Sequence, residues 1–202
     1  QSVHFGLTGG GATMSGSFQH DNLTIGAGGE QPECTRLFGT MGYGSGQTST
    51  LFELNPDTGE ILREVGPVGY LVNGLAYDRT TGTLYGSTSV NDRSWVGLIV
   101  IDMDTGAGTP IGEPYWGGTL YVVNLITFNS GGEMYGWSGY YSNLVRLDKY
   151  TGVAEEICCS GVGTGQNGLS FDSGDALYMV NYDGGVYRMD TGSGAAMWEG
   201  LV

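Results

Sequence analysis

The chain has 202 residues, of which 39 are glycine, 40% are hydrophobic and 14% are charged. Its 21 acidic and 7 basic residues give a net charge of −14, which excludes a nucleic-acid-binding surface and disfavours anionic membranes. Glycine loses the most conformational entropy in helices, so this composition predicts an all-β chain of short strands and tight turns. No apolar run is long enough for a transmembrane helix.

Residues 1–35 are predicted to form an N-terminal β extension. Val3, Phe5 and Leu7 alternate with small or polar neighbours, which is typical of a strand with one apolar face. The glycines at 9–11 predict a hinge. Two interpretations stay open: residues 1–8 complete or cap the chain's own first sheet, or they are donated to a sheet edge of another subunit. The pattern begins at Gln1, as expected of a processed, secreted protein.

Residues 36–202 contain four copies of a repeat of roughly 45 residues. Each copy has a Leu- or Met-aromatic pair, then an apolar run, then a turn that contains Thr-Gly. The pairs begin at Leu37, Leu84, Met134 and Leu177. The apolar runs are too short for helices, and four-stranded units of this length are typical of propeller blades. We therefore predict a small β-propeller of about four four-stranded blades.

A further strand precedes three of these copies, and each such strand contains an asparagine, at Asn73, Asn124 and Asn167. Blades are accordingly predicted at 73–112, 124–158 and 167–200. The first copy, at 36–65, lacks an obvious inner strand, for which residues 23–26 are the candidate. The asparagines are expected at one mouth of the channel, where they bond to neighbouring backbone or form a polar ligand ring.

The segments GLAYDRTTGTLYG (74–86) and GLIVIDMDTG (97–106) resemble the blades of secreted bacterial propellers of the virginiamycin-lyase, NHL and YVTN kind. They are also similar to a bacterial propeller domain of unknown function. The resemblance implies that the asparagine-containing strands line the channel. It implies no activity, because such blades host many functions. The histidine-dependent chemistry of some similar lyases does not carry over, since His4 and His20 both precede the blades.

Asp-Thr-Gly occurs at 57–59, 104–106 and 190–192. Aspartic proteases pair two such loops, but recurrence once per blade predicts turns, in which Asp accepts backbone N–H bonds and Gly takes a positive φ. Asp102 with Asp104, or Asn55 with Asp57, are alternative Ca²⁺ ligands. The spacing of known Ca²⁺ loops is absent, so turn capping is favoured and no cofactor is predicted.

The three cysteines are Cys34, Cys158 and Cys159. The adjacent pair can form a bridge, either member can pair with Cys34 or with another chain, and at least one can be a buried free thiol. No spacing of a zinc site is present.

Aromatic residues are predicted in the loops on the same face as the channel mouth. Tyr and Trp combine a large rigid surface with a polar tip, which suits a protein interface or sugar stacking, although packing over the channel is the alternative. The set comprises Tyr43, Tyr70, Trp95, Tyr115, Trp116, Tyr140, Tyr141 and Tyr182.

The leading functional hypothesis is a non-catalytic extracellular propeller that acts through protein contacts. In its most concrete form it is the repeating subunit of a fimbria-like surface filament, in which copies of the chain are joined by their N-terminal strands. The alternative is a carbohydrate-binding or adhesive propeller that uses Trp95, Trp116 and Tyr141. A third hypothesis is an enzyme with a carboxylate site in the channel.

Overall fold

The computed structural model describes residues 36–42, 48–88, 96–163, 168–181 and 183–201, which fold as four blades of an all-β propeller. These ranges hold strands and turns, and within them no helix is long and apolar enough to cross a membrane. The predicted N-terminal extension and the candidate strand at 23–26 lie outside the described residues.

Each blade is an antiparallel sheet in which chain order is also spatial order, because short turns join consecutive strands. Blade 1 comprises β1 (Leu37–Met41), β2 (Thr50–Leu54) and β3 (Ile61–Pro67). Blade 2 comprises β4 (Val72–Asp78), β5 (Thr83–Thr88), β6 (Leu98–Ile101) and β7 (Gly108–Gly112). A short hairpin follows, made of β8 (Tyr115–Trp116) and β9 (Thr119–Leu120).

Blade 3 comprises β10 (Val123–Phe128), β11 (Met134–Ser138), β12 (Asn143–Leu147) and β13 (Ala154–Cys159). Blade 4 comprises β14 (Gly168–Phe171), β15 (Leu177–Val180), β16 (Gly185–Met189) and β17 (Ala196–Leu201). These blades lie within a few residues of the predicted boundaries. The inner strands β4, β10 and β14 lie side by side, as expected of strands that line a propeller channel.

Blades 2 and 3 each have a neighbouring blade on both sides and bury both of their faces. This explains why runs such as Leu98–Ile101 are continuously apolar. We call the face that a blade turns to the preceding blade its leading face, and the opposite one its trailing face. In blade 2, Leu84 and Ile99 lie on the leading face and pack with Leu51 of blade 1. Tyr85 and Leu98 lie on the trailing face, in the cluster formed with blade 3.

The turns between third and fourth strands confirm a capping role for aspartate, but at a different residue from the one predicted in two blades. Asp102 accepts bonds from the N–H groups of Asp104 and Thr105, and Asp148 caps its own turn in the same way. Asn55 and Asp190 are their equivalents. Asp57 and Asp104 are therefore not the caps, because each lies two residues after the residue that is.

The third Asp-Thr-Gly, which lies in blade 4, is consequently out of step with the first two. Asp190 itself is the cap, so the glycine that closes this turn is Gly194, whose N–H donates to the carbonyl of Asp190. Gly106 and Gly152 close the equivalent turns of blades 2 and 3. Gly106, Gly152 and Gly194 all have φ between 74° and 83°, which favours glycine.

Candidate functional site

Blade 1 has an open edge among the residues that the structure describes. β1 pairs with β2 and with no other described strand, whereas the equivalent strands β5, β11 and β15 each pair on both sides. The missing neighbour is the inner strand of blade 1, whose candidate at residues 23–26 lies outside the described residues. An unpaired strand edge presents N–H and C=O groups to any extended segment that can reach it. The candidate donor residues Val3, Phe5 and Leu7 lie outside the described residues.

The predicted aromatic set does not form one surface. Trp95, Tyr43 and Tyr182 lie outside the described residues, and Tyr70 packs into the apolar cluster between blades 1 and 2. Tyr115 and Trp116 form strand β8, and each is 45% exposed. Trp116 belongs to one group of aromatic residues at blade 3, and Tyr140 and Tyr141 belong to a second, separate group.

The first group surrounds a cavity of about 460 Å³ beside the β8–β9 hairpin. Trp116 lines it together with Tyr150, which is 72% exposed and lies in the turn after β12. Arg146 and Glu155 line the same cavity and form an ion pair across β12 and β13. Both side chains of this ion pair are about half-exposed, so their charged groups remain available to a polar ligand.

The second group lies near the end of blade 3 that holds Asn124. Tyr140 and Tyr141 stack edge to face with ring centroids 4.9 Å apart, and Tyr141 also contacts Tyr121, at 5.2 Å. The Tyr121 hydroxyl donates to Glu156, and Asn143 donates to the second oxygen of Glu156 at 2.6 Å. Burial and the bond to Glu156 raise the pKa of Tyr121 to about 12. Glu156, on the outer strand β13, is therefore half-buried and accepts a hydrogen bond at each carboxylate oxygen.

The one lysine of the chain joins blades 2 and 3. Lys149 Nζ lies 2.5 Å from Oδ2 of the fully buried Asp78 and donates to the Gly132 carbonyl at 3.0 Å. Burial acts to raise the pKa of Asp78, but hydrogen bonds from Lys149, Thr80 and Thr81 lower it to about 2. The pair is a structural contact, since its charges are satisfied within the protein.

Two of the three predicted channel asparagines occupy equivalent positions. Asn73 and Asn124 both lie at register shifts of the inner strands β4 and β10, and both are half-buried. The Asn124 carbonyl accepts a bond from Ser87 of blade 2 at 3.3 Å, so the backbone here joins neighbouring blades. Asn167 lies outside the described residues.

The adjacent cysteines Cys158 and Cys159 form a disulfide at the end of β13, one of the pairings left open by the sequence. Cys34 lies outside the described residues. Within the described ranges, no three His, Cys, Asp or Glu side chains converge as metal ligands, and Asp102 is engaged in its own turn. Ca²⁺ binding at Asp102 and Asp104, or at Asn55 and Asp57, stays an untested alternative to turn capping.

Sequence reasoning missed Tyr150, Arg146 and Tyr121 as members of these groups. Tyr150 lies two residues after the cap residue Asp148. The first two blades have aspartate at the equivalent position, and this departure from the repeat was the available signal. The positions of Arg146 and Tyr121 carry no comparable signal.

No family model matches the chain, and no curated protein matches it. Solved structures match at the level of fold. A structural genomics protein of unknown function from Bacteroides thetaiotaomicron VPI-5482 has 15% identity and a TM-score of 0.58, over 81% of this chain and 44% of its own. An auxiliary nutrient binding protein from the same organism has 14% identity and a TM-score of 0.54, over 80% and 39%.

Virginiamycin B lyase from Staphylococcus aureus also matches, with 17% identity and a TM-score of 0.47, over 80% of this chain and 52% of its own. The chain thus spans less than half the length of the first two structures and about half of the third. The two matches with TM-scores above 0.5 support the propeller fold and assign no activity.

Proposed function

We propose that the protein is a non-catalytic extracellular propeller that acts through protein–protein contacts, as the repeating subunit of a surface filament. In this proposal, an N-terminal strand around Val3, Phe5 and Leu7 of one copy pairs with β1 of the next copy. Bacterial origin and secretion are part of the proposal, since they follow from the resemblance of the blades.

The observation that carries the proposal is the unpaired edge of β1 within the described residues. Among the described residues, three blades have four strands each and blade 1 has three, so no described strand occupies the position beside β1. The alternating residues 2–8 have the pattern and the length of such a strand, and the glycines at 9–11 would let it leave its own subunit. Main-chain bonds would supply affinity, and the apolar face of the strand would supply register.

The charge of the chain is compatible with a polymer. A net charge of −14 per subunit would make separate filaments repel one another and so keep them in solution. Because this repulsion also opposes contact between subunits, the proposal expects assembly to strengthen as salt screens the charges.

The test compares two substitutions at neighbouring positions. Phe5→Asp places a charge on the apolar face of the proposed strand, whereas His4→Asp places the same charge on the opposite face. Phe5→Asp and deletion of residues 1–8 should abolish filaments in negative-stain microscopy, while His4→Asp preserves them. Circular dichroism and thermal melting should show intact blades in all three. Filaments that persist after the deletion would disprove strand donation.

Saccharide binding is a second candidate, favoured by the cavity that Trp116 and Tyr150 share. Two exposed rings beside an Arg–Glu pair suit a sugar, whose apolar faces stack on aromatic rings and whose hydroxyls bond to charged groups. Glycan-array binding should be lost in Trp116→Ala and kept in Trp198→Ala, since Trp198 is also exposed, at 56% against 45%, but does not line this cavity. Equal signals from the two variants would reject the cavity as a sugar site.

A further inference from the structure

One close contact recurs at the outer side of the joints between blades. At the joint of blades 1 and 2, a Cβ placed on Gly66 of β3 would lie 2.3 Å from the Thr105 carbonyl oxygen. A Cβ on Gly106 would lie 2.5 Å from the Gly66 carbonyl oxygen. The backbone of the outer strand therefore rests directly on the capped turn of the following blade, with no space for a side chain between them.

The next two joints repeat this contact. A Cβ on Gly112 would lie 2.2 Å from the Thr151 carbonyl oxygen, and one on Gly152 would lie 2.6 Å from that of Gly112. At the joint of blades 3 and 4, a Cβ on Gly194 would lie 2.2 Å from the Cys158 carbonyl oxygen. Cys158 replaces glycine here and takes a φ of 97°.

The register of the outer strands shows that these residues are equivalent. Each faces the third strand of its blade beside a bulge, and each blade contributes one such pair. The pairs are Leu51 with Gly66, Leu98 with Gly112, Leu144 with Cys158, and Val186 with Gly200.

Gly200 is the fourth member of this series, and its contact is unfilled. It has the same φ of 157° as Gly66, yet no described atom lies within 4 Å of the position its Cβ would take. The trailing face beside it is also incompletely covered. Tyr178 and Val186 are half-buried, whereas the equivalent Tyr135 and Leu144 of blade 3 are 6% and 0% exposed.

The leading face of blade 1 is likewise incompletely covered by the described residues. Leu37 and Phe52 are half-buried, whereas the equivalent residues Leu84 and Ile99 of blade 2 are 3% and 0% exposed. The turn capped by Asn55 ends at Gly59, whose φ of 74° matches the turns that receive an outer strand at the three joints. Among the strands described, none of blade 4 packs extensively on blade 1.

We infer that the trailing face of blade 4 docks on the leading face of blade 1 in a second copy of the chain, with Gly200 resting on the turn at Thr58–Gly59. The interface continues the three joints that already hold the blades together. This inference rests on the proposed self-assembly and adds a contact distinct from the N-terminal strand, because it lies at the outer side of the blades rather than at the edge of β1.

The docked interface is more polar than the joints within the chain. The exposed Glu199 occupies the position of Val65, Ile111 and Ile157, which pack into the apolar clusters of the three joints. A contact made between separately folded subunits is expected to be more polar than a core, since each face must also exist in water. The Glu199 carboxylate also disfavours a fully buried interface, because burial of an unpaired charge is costly.

Cross-linking separates a second copy from closure within one chain. Thr58→Cys and Leu201→Cys are made singly in a Cys34→Ser background, with a size tag on one of the two proteins. The two are mixed and treated with a short bis-maleimide reagent. A cross-linked species containing one tagged and one untagged chain is expected. The doubly substituted chain should then give a ladder of multimers, whereas a monomer of altered mobility would show closure within the chain and overturn the inference.

A second variant tests the glycine contact itself. Gly200→Val carries a conformational cost, because its φ of 157° favours glycine. No described atom lies near the new side chain, so the subunit should stay folded while the side chain clashes with the receiving turn. We expect the dissociation constant from analytical ultracentrifugation to rise about tenfold or more. Gly118→Val is the matched control, since that glycine also has a positive φ, of 82°, has no described atom within 4 Å and lies in the β8–β9 turn outside the joints. An unchanged constant in a folded Gly200→Val protein would overturn the inference.

The inference and the proposed function fail in different ways. If filaments form but neither the mixed cross-link nor the effect of Gly200→Val appears, strand donation stands and the docking of blade faces is wrong. If the unsubstituted chain forms no assemblies at any salt concentration, the proposed function fails, and the docking inference fails with it.

Discussion

At the joint between blades 3 and 4, Tyr135 is 6% exposed and its ring lies 5.3 Å from that of Phe171. On the trailing face of blade 4, the equivalent Tyr178 is half-buried. The two regions carry the same strands, the same bulge and the same capped turns. The difference teaches that the repeat encodes an interface once per blade, whether or not a described neighbour fills it.

The largest effect should come from removing the charge pair inside a joint. Lys149→Met leaves the fully buried Asp78 without its counter-charge, so we expect the free energy of unfolding to fall by about 3–5 kcal/mol. Chemical denaturation measures this change. The control is Arg146→Met, which breaks the exposed pair with Glu155 and should cost under about 1 kcal/mol. Equal costs would show that the joint is no less hydrated than the surface.

A side chain forced into a filled joint should have the next largest effect. Gly152→Val combines a positive φ with a Cβ 2.6 Å from the Gly112 carbonyl oxygen, so we expect a loss of about 2–4 kcal/mol. Gly161→Val has a similar φ of 73° but open space around it, and should show the conformational cost alone. If thermal melting gives the two variants the same stability, the close contact between backbones is not a constraint.

Acid should weaken the joint of blades 2 and 3 through Asp78. The folded-state pKa of about 2 lies below the ordinary value, so the carboxylate contributes stability above about pH 4. That contribution, about 2 kcal/mol, is lost as the pH falls from about 4 to about 2. Asp78→Asn should flatten the pH dependence of the melting temperature over this range.

Glu53→Gln is the comparison for the acid experiment. Hydrogen bonds from Arg36 and Arg63 lower the pKa of Glu53 to about 2, but this cluster lies on blade 1 and Arg36 also reaches Asp104 of blade 2. Its removal should change the acid response less than Asp78→Asn does, because exposed arginines are screened by solvent. A larger effect at Glu53 would place the acid-sensitive contact at the first joint instead.

The sequence was sufficient to predict the strands and their grouping into blades, because each blade repeats the same short apolar runs and turn residues. It was insufficient where the repeat drifts. Asp190-Thr191-Gly192 reads as a third copy of one motif, yet the structure places Gly194, not Gly192, at the position of Gly106. Only the hydrogen bonds of the turn reveal this shift of two residues.

Contacts between blades could not be predicted from the sequence either. Gly66 and Thr105 touch although no local pattern connects them, and the cavity of Trp116 and Tyr150 joins a hairpin to a turn that follows it by more than one strand. Periodicity reports which face of a strand is apolar, but it does not report which distant backbone that face meets.

The bulge in each outer strand bears on how thick an assembly can become. β3, β7, β13 and β17 are the last strands of their sheets, and each departs from regular register opposite the third strand. Pro67 in β3 and Pro110 in β7 further remove N–H donors from these rims. A bulged strand twists away from the straight geometry that sideways pairing of sheets requires. Copies joined end to end would therefore elongate as single fibres that resist lateral bundling.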